Sequence, residues 1–217
     1  MFNNDTAALQ KITCLKAEEA IYDWFAILSD RYAKEGETKV NGRAWRAEIK
    51  RMQYPYDAMM SEGYSALRQR LIAHMALRPI DDMALALFVS VAVHIKKANP
   101  EKPEVEKEEG KEKKKNEVLS FAAQLGEEIK NNKPIFSRLR FQSLQKARDP
   151  ETFCRLLIRA VKIRGDNGVN ILSLADSIFL WMEEWQQREA HMPENPNPFA
   201  RNRIRWANEY LSTAPTE

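Results

Sequence analysis

Positive charge is concentrated in one stretch of this sequence, SRLRFQSLQKARDPETFCRLLIRAVKIRG, at residues 137–165. Only Asp149 and Glu151 oppose it there, although the whole chain of 217 residues carries a formal net charge of just +3. Its basic residues are Arg138, Arg140, Lys146, Arg148, Arg155, Arg159, Lys162 and Arg164. Arginine presents a planar fork of donors that matches a phosphate group, so this stretch is suited to contact a sugar–phosphate backbone.

The second half of this stretch predicts a helix with one basic face. An α-helix turns by about 100° per residue, so Arg155, Arg159 and Lys162 project from the same side. The opposite side carries Phe153, Leu156, Leu157, Ala160 and Val161. One basic face of this kind is commonly an ordinary solvated surface. Its meaning therefore depends on whether other parts of the chain add to it.

Two further stretches repeat the same chemistry, GRAWRAEIKR at residues 42–51 and FARNRIRW at residues 199–206. Their basic residues are Arg43, Arg46, Lys50 and Arg51 in the first, and Arg201, Arg203 and Arg205 in the second. Several basic patches on a small protein indicate a surface that follows a nucleic-acid backbone by charge. Reading of specific bases is not expected, because the sequence has neither zinc-finger spacing nor a convincing helix-turn-helix pattern.

Residue sets for catalysis or metal binding are not evident. His74, His94 and His191 are far apart in the sequence, and the first two are expected in the core or at its boundary on apolar helices. Cys14 and Cys154 lack a CxxC or Cys/His pattern and are expected to be buried free thiols. Without a Gly-rich phosphate loop either, the sequence predicts a non-catalytic protein with no metal and no cofactor. A metal-dependent nuclease assembled from scattered acids is the enzymatic alternative.

Apolar residues recur at helical spacing over most of the chain, which predicts an all-α protein without strands. Four or five helices are expected to form one bundle within residues 1–98, and further helices a second bundle within residues 117–217. Between them, residues 99–116 read NPEKPEVEKEEGKEKKKN, with equal numbers of lysine and glutamate and hardly any apolar side chain. This composition predicts a solvated, charged linker that joins two helical lobes.

Two helix starts are marked by capping residues. Asp149-Pro150-Glu151 offers an N-cap, a proline at the first helical position and an acid in the first turn, and its helix is expected to run to about Arg164. Asn197-Pro198 predicts the start of the last helix in the same way. A further helix is expected over EVLSFAAQLGEEIK, residues 117–130.

The sequence predicts no membrane span. The first ten residues, MFNNDTAALQ, lack the basic and apolar regions of a signal peptide. The longest apolar run, at residues 83–93, is too short to cross a bilayer and is typical of a core helix. We therefore expect a cytoplasmic protein that does not contact a membrane.

Six short segments follow one another along the chain: AEIKRM (47–52), EGYSALRQRL (62–71), RFQSLQKARD (140–149), RLLIRAV (155–161), FLW (179–181) and RIRWANEYL (203–211). They resemble segments of the small subunit of the type I-E CRISPR Cascade complex, the CasB family. Their order along the chain, together with the all-helical pattern in two lobes, carries the resemblance.

The resemblance implies a non-enzymatic subunit that is present as a pair in an RNA-guided complex and contacts other Cascade subunits. It implies that the pair helps to hold the displaced non-target single-stranded DNA while guide RNA pairs with the other strand, with the guide RNA as a second candidate ligand. The positions that match basic positions of the family are Lys50, Arg51, Arg140, Lys146 and Arg159. Charge and spacing add Arg138, Arg148, Arg155, Lys162, Arg201 and Arg203 as candidate nucleic-acid contacts.

The sequence departs from the family pattern in two places, the charged residues 99–116 and the stretch REAHMPENPNPFARN at residues 188–202. The second departure makes Arg201 and Arg203 the weakest of the assignments. Another class of function stays open, a structural adaptor whose basic faces bind acidic protein surfaces. Binding to nucleic acid through several phosphates would weaken steeply with salt and tolerate any base sequence, and binding to an acidic protein would leave only feeble affinity for DNA.

Overall fold

The chain forms an all-α protein, as predicted. The computed structural model describes residues 9–35, 38–101, 118–129 and 132–215. Its α-helices are α1 Leu15–Ile27, α2 Gly42–Ile49, α3 Glu62–Ile72, α4 Pro79–Ala92, α5 Phe121–Gly126, α6 Arg138–Gln145, α7 Pro150–Arg164, α8 Ile171–Glu189 and α9 Asn202–Thr213. Short 3₁₀ helices cover Pro55–Met60, Gly165–Asn167 and Pro198–Ala200. None of these described helices is long and apolar enough to cross a membrane.

A small hairpin follows α1 and corrects the expectation of a protein without strands. Strand β1, Ala33–Glu35, pairs in antiparallel fashion with β2, Thr38–Val40, and Ala33 lies opposite Val40. Helix α1 ends at Ile27, six residues before the first strand begins. Strands of three residues are too short to show the alternation of apolar and polar residues that reveals a strand in a sequence.

The core is organised around α4, which is apolar on nearly all sides. Every residue from 84 to 92 is buried, as a helix without a polar face requires. α4 packs along α8, and it also contacts α7 and the 3₁₀ helix Pro55–Met60. Elsewhere α1 packs on α3, and α5 on α9.

The two predicted lobes share this core, because α4 comes from the first and α8 from the second. Buried apolar residues from both form one continuous cluster. The domain boundaries at residues 98 and 117 stay a prediction. Residues 102–116 of the predicted linker, and residues 1–8 of the N-terminal segment, lie outside the described residues.

The capping residues predicted one helix start correctly and another only in part. The Asp149 side chain accepts a hydrogen bond from the Thr152 N–H at 2.8 Å, and α7 runs from Pro150 to Arg164 as expected. Asn197 caps the 3₁₀ helix Pro198–Ala200 instead, and α9 begins only at Asn202.

Helix α5 is much shorter than the helix predicted over residues 117–130. It ends at Gly126, because the next residue, Glu127, has an extended backbone. A Cβ atom on Gly126 would lie 2.4 Å from the Tyr210 carbonyl oxygen of α9. Tertiary packing against α9 therefore requires glycine here, and a single-helix pattern does not reveal it.

A buried carboxylate, Asp176 on α8, connects distant parts of the chain. Its Oδ1 accepts hydrogen bonds from the backbone N–H groups of Gln10, Lys11 and Ile12, at 2.8, 2.5 and 3.1 Å. Its Oδ2 accepts a hydrogen bond from the Arg205 guanidinium of α9 at 3.1 Å. Arg205 was counted in a surface basic stretch from the sequence, but it is buried and serves this internal pair.

Removal of the Asp176 carboxylate is predicted to destabilise the fold strongly. Asp176→Ala leaves three backbone donors without their acceptor and takes one carboxylate from the buried Arg205 guanidinium, and loss of one partner of a buried pair commonly costs about 3–5 kcal/mol. Urea unfolding followed by circular dichroism should show this loss. The matched change Asp166→Ala breaks an exposed pair with Lys96 and should cost less than about 1 kcal/mol. Similar losses for both variants would contradict the anchoring role of Asp176.

Candidate nucleic-acid interface

Helix α7 presents the basic face that its sequence predicted. Arg155, Arg159 and Lys162 are exposed, and the apolar residues on the other side are buried except for the half-buried Leu156. The helix begins at the Asp149 cap and ends at Gly165, which has a positive φ of 51°. The last basic residue of the helix behaves differently. Arg164 is buried, and its guanidinium donates to the Glu127 carboxylate at 2.5 Å.

The end of α2 lies close to this face. Lys50 is the C-cap of α2 and is exposed. Although Lys50 is exposed overall, partial desolvation of its amine, followed by the positive charges of Arg46 and Lys162, lowers its pKa. Two helices that are far apart in the sequence thus bring cations into one electrostatic neighbourhood.

His94, two residues beyond the end of α4, lies within the same neighbourhood. Burial, reinforced by the positive charges of Lys162, Lys50 and Arg46, lowers its pKa to about 4. The imidazole is therefore neutral at physiological pH. We call Arg46, Lys50, Arg155 and Lys162 the basic cluster, with Arg155 included because it lines the same cleft as Lys50 and His94.

The positive charge of the basic cluster is only partly offset by neighbouring carboxylates, since Asp149 interacts with the Arg155 charge and Glu151 lines the same cleft as Lys50. Within the described ranges, none of its four members forms an ion pair. Arg46 lies over the Phe25 ring at 5.8 Å, and its Nε and Nη2 atoms are buried with no hydrogen-bond partner in that same part of the chain. Four neighbouring cations that form no ion pair in the described part of the chain favour a ligand that brings negative charge.

The model of the CRISPR-associated protein Cse2 family matches residues 45–211. The chain belongs to the Cse2 family. This match confirms the resemblance to the small subunit of type I-E Cascade, so the chain is a subunit of a CRISPR Cascade complex and has other Cascade subunits as partners. No curated protein and no solved structure matches the chain. All members of the basic cluster lie within the residues that match Cse2.

The basic cluster of this Cse2-family chain contains three residues predicted from the sequence and one that was missed. Lys50, Arg155 and Lys162 were predicted, whereas Arg46 was noted in a basic stretch but not assigned to a site. The missed signal was its spacing, because Arg46 lies four residues before Lys50 and such residues share a helix face. The sequence does not show that Arg46 is half-buried beside the other cations.

Other predicted contacts lie on different parts of the surface. Arg51 is exposed, and its Nε donates to the Ala47 carbonyl at 3.0 Å. The exposed candidates on α6, in the turn after it and on α9 are Arg140, Lys146, Arg148 and Arg203. The Gln145 side chain donates to the Arg203 carbonyl at 3.0 Å, which places the end of α6 beside the start of α9.

Two predicted contacts are already engaged within the chain. Arg201 pairs with the Glu194 carboxylate, and its Nε donates to the Asn195 carbonyl at 2.8 Å. Arg138 is half-buried and donates to the Pro215 carbonyl at 2.9 Å. These two arginines are weaker candidates for phosphate contacts than the exposed members of the basic cluster.

The residues considered for catalysis or metal binding are dispersed. No group of three or more potential metal ligands occurs among the residues that the structure describes. Both cysteines are free, as predicted, and burial raises the pKa of the Cys154 thiol to about 12, whereas Cys14 is only half-buried. His94 lies at the boundary of the core as expected, but His74 is exposed.

His94 is predicted to make the fold sensitive to mild acid. The unfolded chain binds a proton at His94 near pH 6.5, whereas the folded chain binds it only near pH 4, so stability is complete above pH 6.5 and falls as the pH drops toward 4. With allowance for solvent screening, wild type should lose about 1 kcal/mol more between pH 7 and pH 5 than His94→Gln. Urea unfolding at the two pH values measures this difference.

The exposed His74→Gln controls for the removal of a histidine as such. It should keep the pH dependence of wild type. The same pH dependence in wild type and His94→Gln would show that His94 is not held neutral by its surroundings.

Proposed function

We propose that this Cascade subunit is a non-catalytic, sequence-independent binder of single-stranded nucleic acid that holds the displaced non-target DNA strand and thereby stabilises the R-loop. The observation that carries this proposal is the basic cluster. Its four cations come from α2 and α7, and have no ion-pair partner within the described ranges. The phosphates of a single strand would supply the missing negative charge.

The geometry of α7 suits an extended backbone. From Arg155 to Lys162 the helix rises about 10 Å, since each residue adds about 1.5 Å. The cations on this row are exposed, so they can reach more than one phosphate without a change of fold. Contacts of this kind depend on charge and position and are indifferent to base sequence.

Modest binding energy is enough for the proposed role. Exchange of a DNA duplex for an RNA–DNA heteroduplex is nearly balanced, so protein contacts to a backbone can tip it. A subunit that holds the released strand opposes its return to the duplex. Self-association as a pair, as the family resemblance implied, would double the length of strand held, and guide RNA is a second candidate for the same charged surface.

A structural adaptor that binds acidic protein surfaces is the competing function. Negatively charged side chains of a partner subunit would also complement the basic cluster. The two functions differ in what competes for the surface. Single-stranded DNA of any sequence should bind the full chain in the first case and bind only feebly in the second.

Binding of labelled single-stranded DNA is predicted to be steeply dependent on salt. For single strands the logarithm of affinity falls with the logarithm of salt by about 0.7 for each phosphate neutralised. The triple change of Arg155, Arg159 and Lys162 to Ala should therefore reduce the slope by about 2 and weaken binding at low salt by at least about tenfold. Fluorescence anisotropy over a salt series measures both quantities, and circular dichroism confirms the fold.

A matched triple change tests whether position matters as well as charge. Lys16, Arg31 and Lys39 are exposed cations on other elements, and their change to Ala removes the same formal charge. This control should keep most of the slope. Equal effects of the two triple variants would point to diffuse attraction, and no binding by wild type at low salt would favour the adaptor.

The proposal also predicts no nuclease activity. Single- and double-stranded DNA incubated with the full chain and Mg²⁺ or Mn²⁺ should remain intact on denaturing gels. Cleavage that requires the metal and disappears with EDTA would support the nuclease alternative instead. A preparation of the α7 triple variant controls for a contaminating nuclease, because a contaminant would cleave equally in both.

A further inference from the structure

A cleft opens beside the basic cluster, between the turn that follows α2 and the first half of α7. Its volume is about 370 Å³, near the lower end of the range of about 300–1,000 Å³ that is usual for small-ligand sites. Its apolar lining consists of Ile49, Met52, Pro55, Cys154 and Ile158. Ser90 of α4 and His94, two residues beyond the end of α4, also line it, and α4 packs against α7 and the 3₁₀ helix Pro55–Met60. The cleft therefore has room for one small, partly apolar group.

The cleft carries cations that would bind phosphate. Lys50 and Arg155 both line it, both are exposed, and neither has an ion-pair partner in the described part of the chain. The positive charges of Arg46 and Lys162 add to the local field, since Lys50 experiences both. A phosphate group near Lys50 and Arg155 would relieve this repulsion.

The other polar groups of the cleft are suited to a nucleobase rather than to an anion. Glu151 lines the cleft, and its carboxylate would repel a phosphate but accept a hydrogen bond from a base N–H. The neutral His94 ring can donate one hydrogen bond and accept another. The Ser90 hydroxyl donates to the Pro55 carbonyl at 3.0 Å and retains acceptor capacity.

An aromatic side chain completes this set. Tyr54 lines the cleft and is 50% exposed. Half-exposed aromatic rings are the platforms on which single-stranded bases stack, and such stacking tolerates every base. The cleft thus combines an apolar lining, an exposed ring and the polar groups of Glu151, His94 and Ser90. These lie next to Lys50 and Arg155, which form no ion pair in the described part of the chain.

We propose that this cleft accepts one unstacked nucleotide of a DNA single strand, with the base inside beside Tyr54 and the adjoining phosphate between Lys50 and Arg155. The inference rests on the proposed function and deepens it, because it adds a base-sized subsite to a surface that otherwise contacts only backbone. The subsite would fix the register of the strand on the protein without selecting its sequence.

The test compares two labelled strands with the same number of phosphates. One is oligo(dT), and the other has abasic residues at every position. Wild type should bind the first about tenfold more tightly, because base stacking contributes to affinity while the backbone charge is equal. The salt slopes of the two strands should agree, since the number of phosphates is unchanged.

A cleft-filling variant locates the effect. Ile158→Phe enlarges a half-buried side chain of the lining and leaves every cation in place, so the tenfold difference should shrink to about twofold with the slope preserved. Ile163→Phe makes the same change at another half-buried position of α7 that doesn't line the cleft. This control should keep the difference seen in wild type.

A second measurement on wild type remains decisive where the cleft-filling variant fails to fold. Photo-crosslinking with strands that contain 5-iodouracil should place the crosslinked peptide within residues 49–55 or 151–158. Crosslinks confined to other segments would overturn the inference.

The outcomes separate this inference from the proposed function. Equal, salt-sensitive binding of both strands to wild type would overturn the nucleotide subsite and leave strand holding intact. A base-dependent difference that survives in folded Ile158→Phe would also overturn it. Binding of neither strand at low salt would overturn both proposals.

Discussion

The buried carboxylate of Asp176 is the interaction on which the rest of the structure depends. A charge without solvent is tolerated only when several donors surround it, and here three backbone N–H groups and an arginine do so. The donors come from the segment before α1 and from α9, whereas the acceptor lies on α8. Satisfying one charge therefore fixes the positions of three parts of the chain. Ser177, the next residue, adds acceptors for Arg205 and Trp206 at 2.9 Å.

Helix α4 connects Asp176 on α8 with the elements that carry the basic cluster. Helix α8 packs against α4, and α4 packs against α7 and the 3₁₀ helix that follows α2. Because α4 is buried on nearly all sides, it can support different elements on different faces. The 3₁₀ helix Pro55–Met60 follows Lys50 closely in the chain, and α7 carries Arg155 and Lys162. The buried helix α4 thus supports the elements that carry the exposed cations Lys50, Arg155 and Lys162. Support from a packed core favours a preorganised site.

Local sequence signals predicted what depends on a few neighbouring residues. The bounds of α7 followed from Asp149-Pro150 and its basic face from helical spacing, because capping and periodicity act within the helix itself. The all-α fold and the exposed positions of Arg155 and Lys162 on one helix face followed from similar patterns, whereas Lys50 was assigned from the family resemblance. The family resemblance, which rested on the order of weak segments, was confirmed by the match to Cse2.

Features that depend on distant partners were not predicted. Arg203 and Arg205 are indistinguishable by type, yet only Arg205 meets Asp176 and is buried. The need for glycine at position 126 depends on the approach of α9, and the common core of the two halves depends on the contact between α4 and α8. Arg46 was overlooked because its place in the cluster depends on packing against Phe25 of α1, which is distant in the sequence.

The like charges around Lys50 lower the stability of the folded chain, although the proposed function requires them. Partial desolvation and repulsion lower the pKa of Lys50. The charged form of Lys50 is therefore less stable in the folded chain than in the unfolded one. Exchange of such cations for neutral residues would be expected to strengthen the isolated subunit, in keeping with the general trade-off between stability and activity. A bound polyanion would reverse this balance by mass action. Selection for heat tolerance alone would therefore favour loss of the Lys50 charge, at the expense of the proposed strand-binding surface.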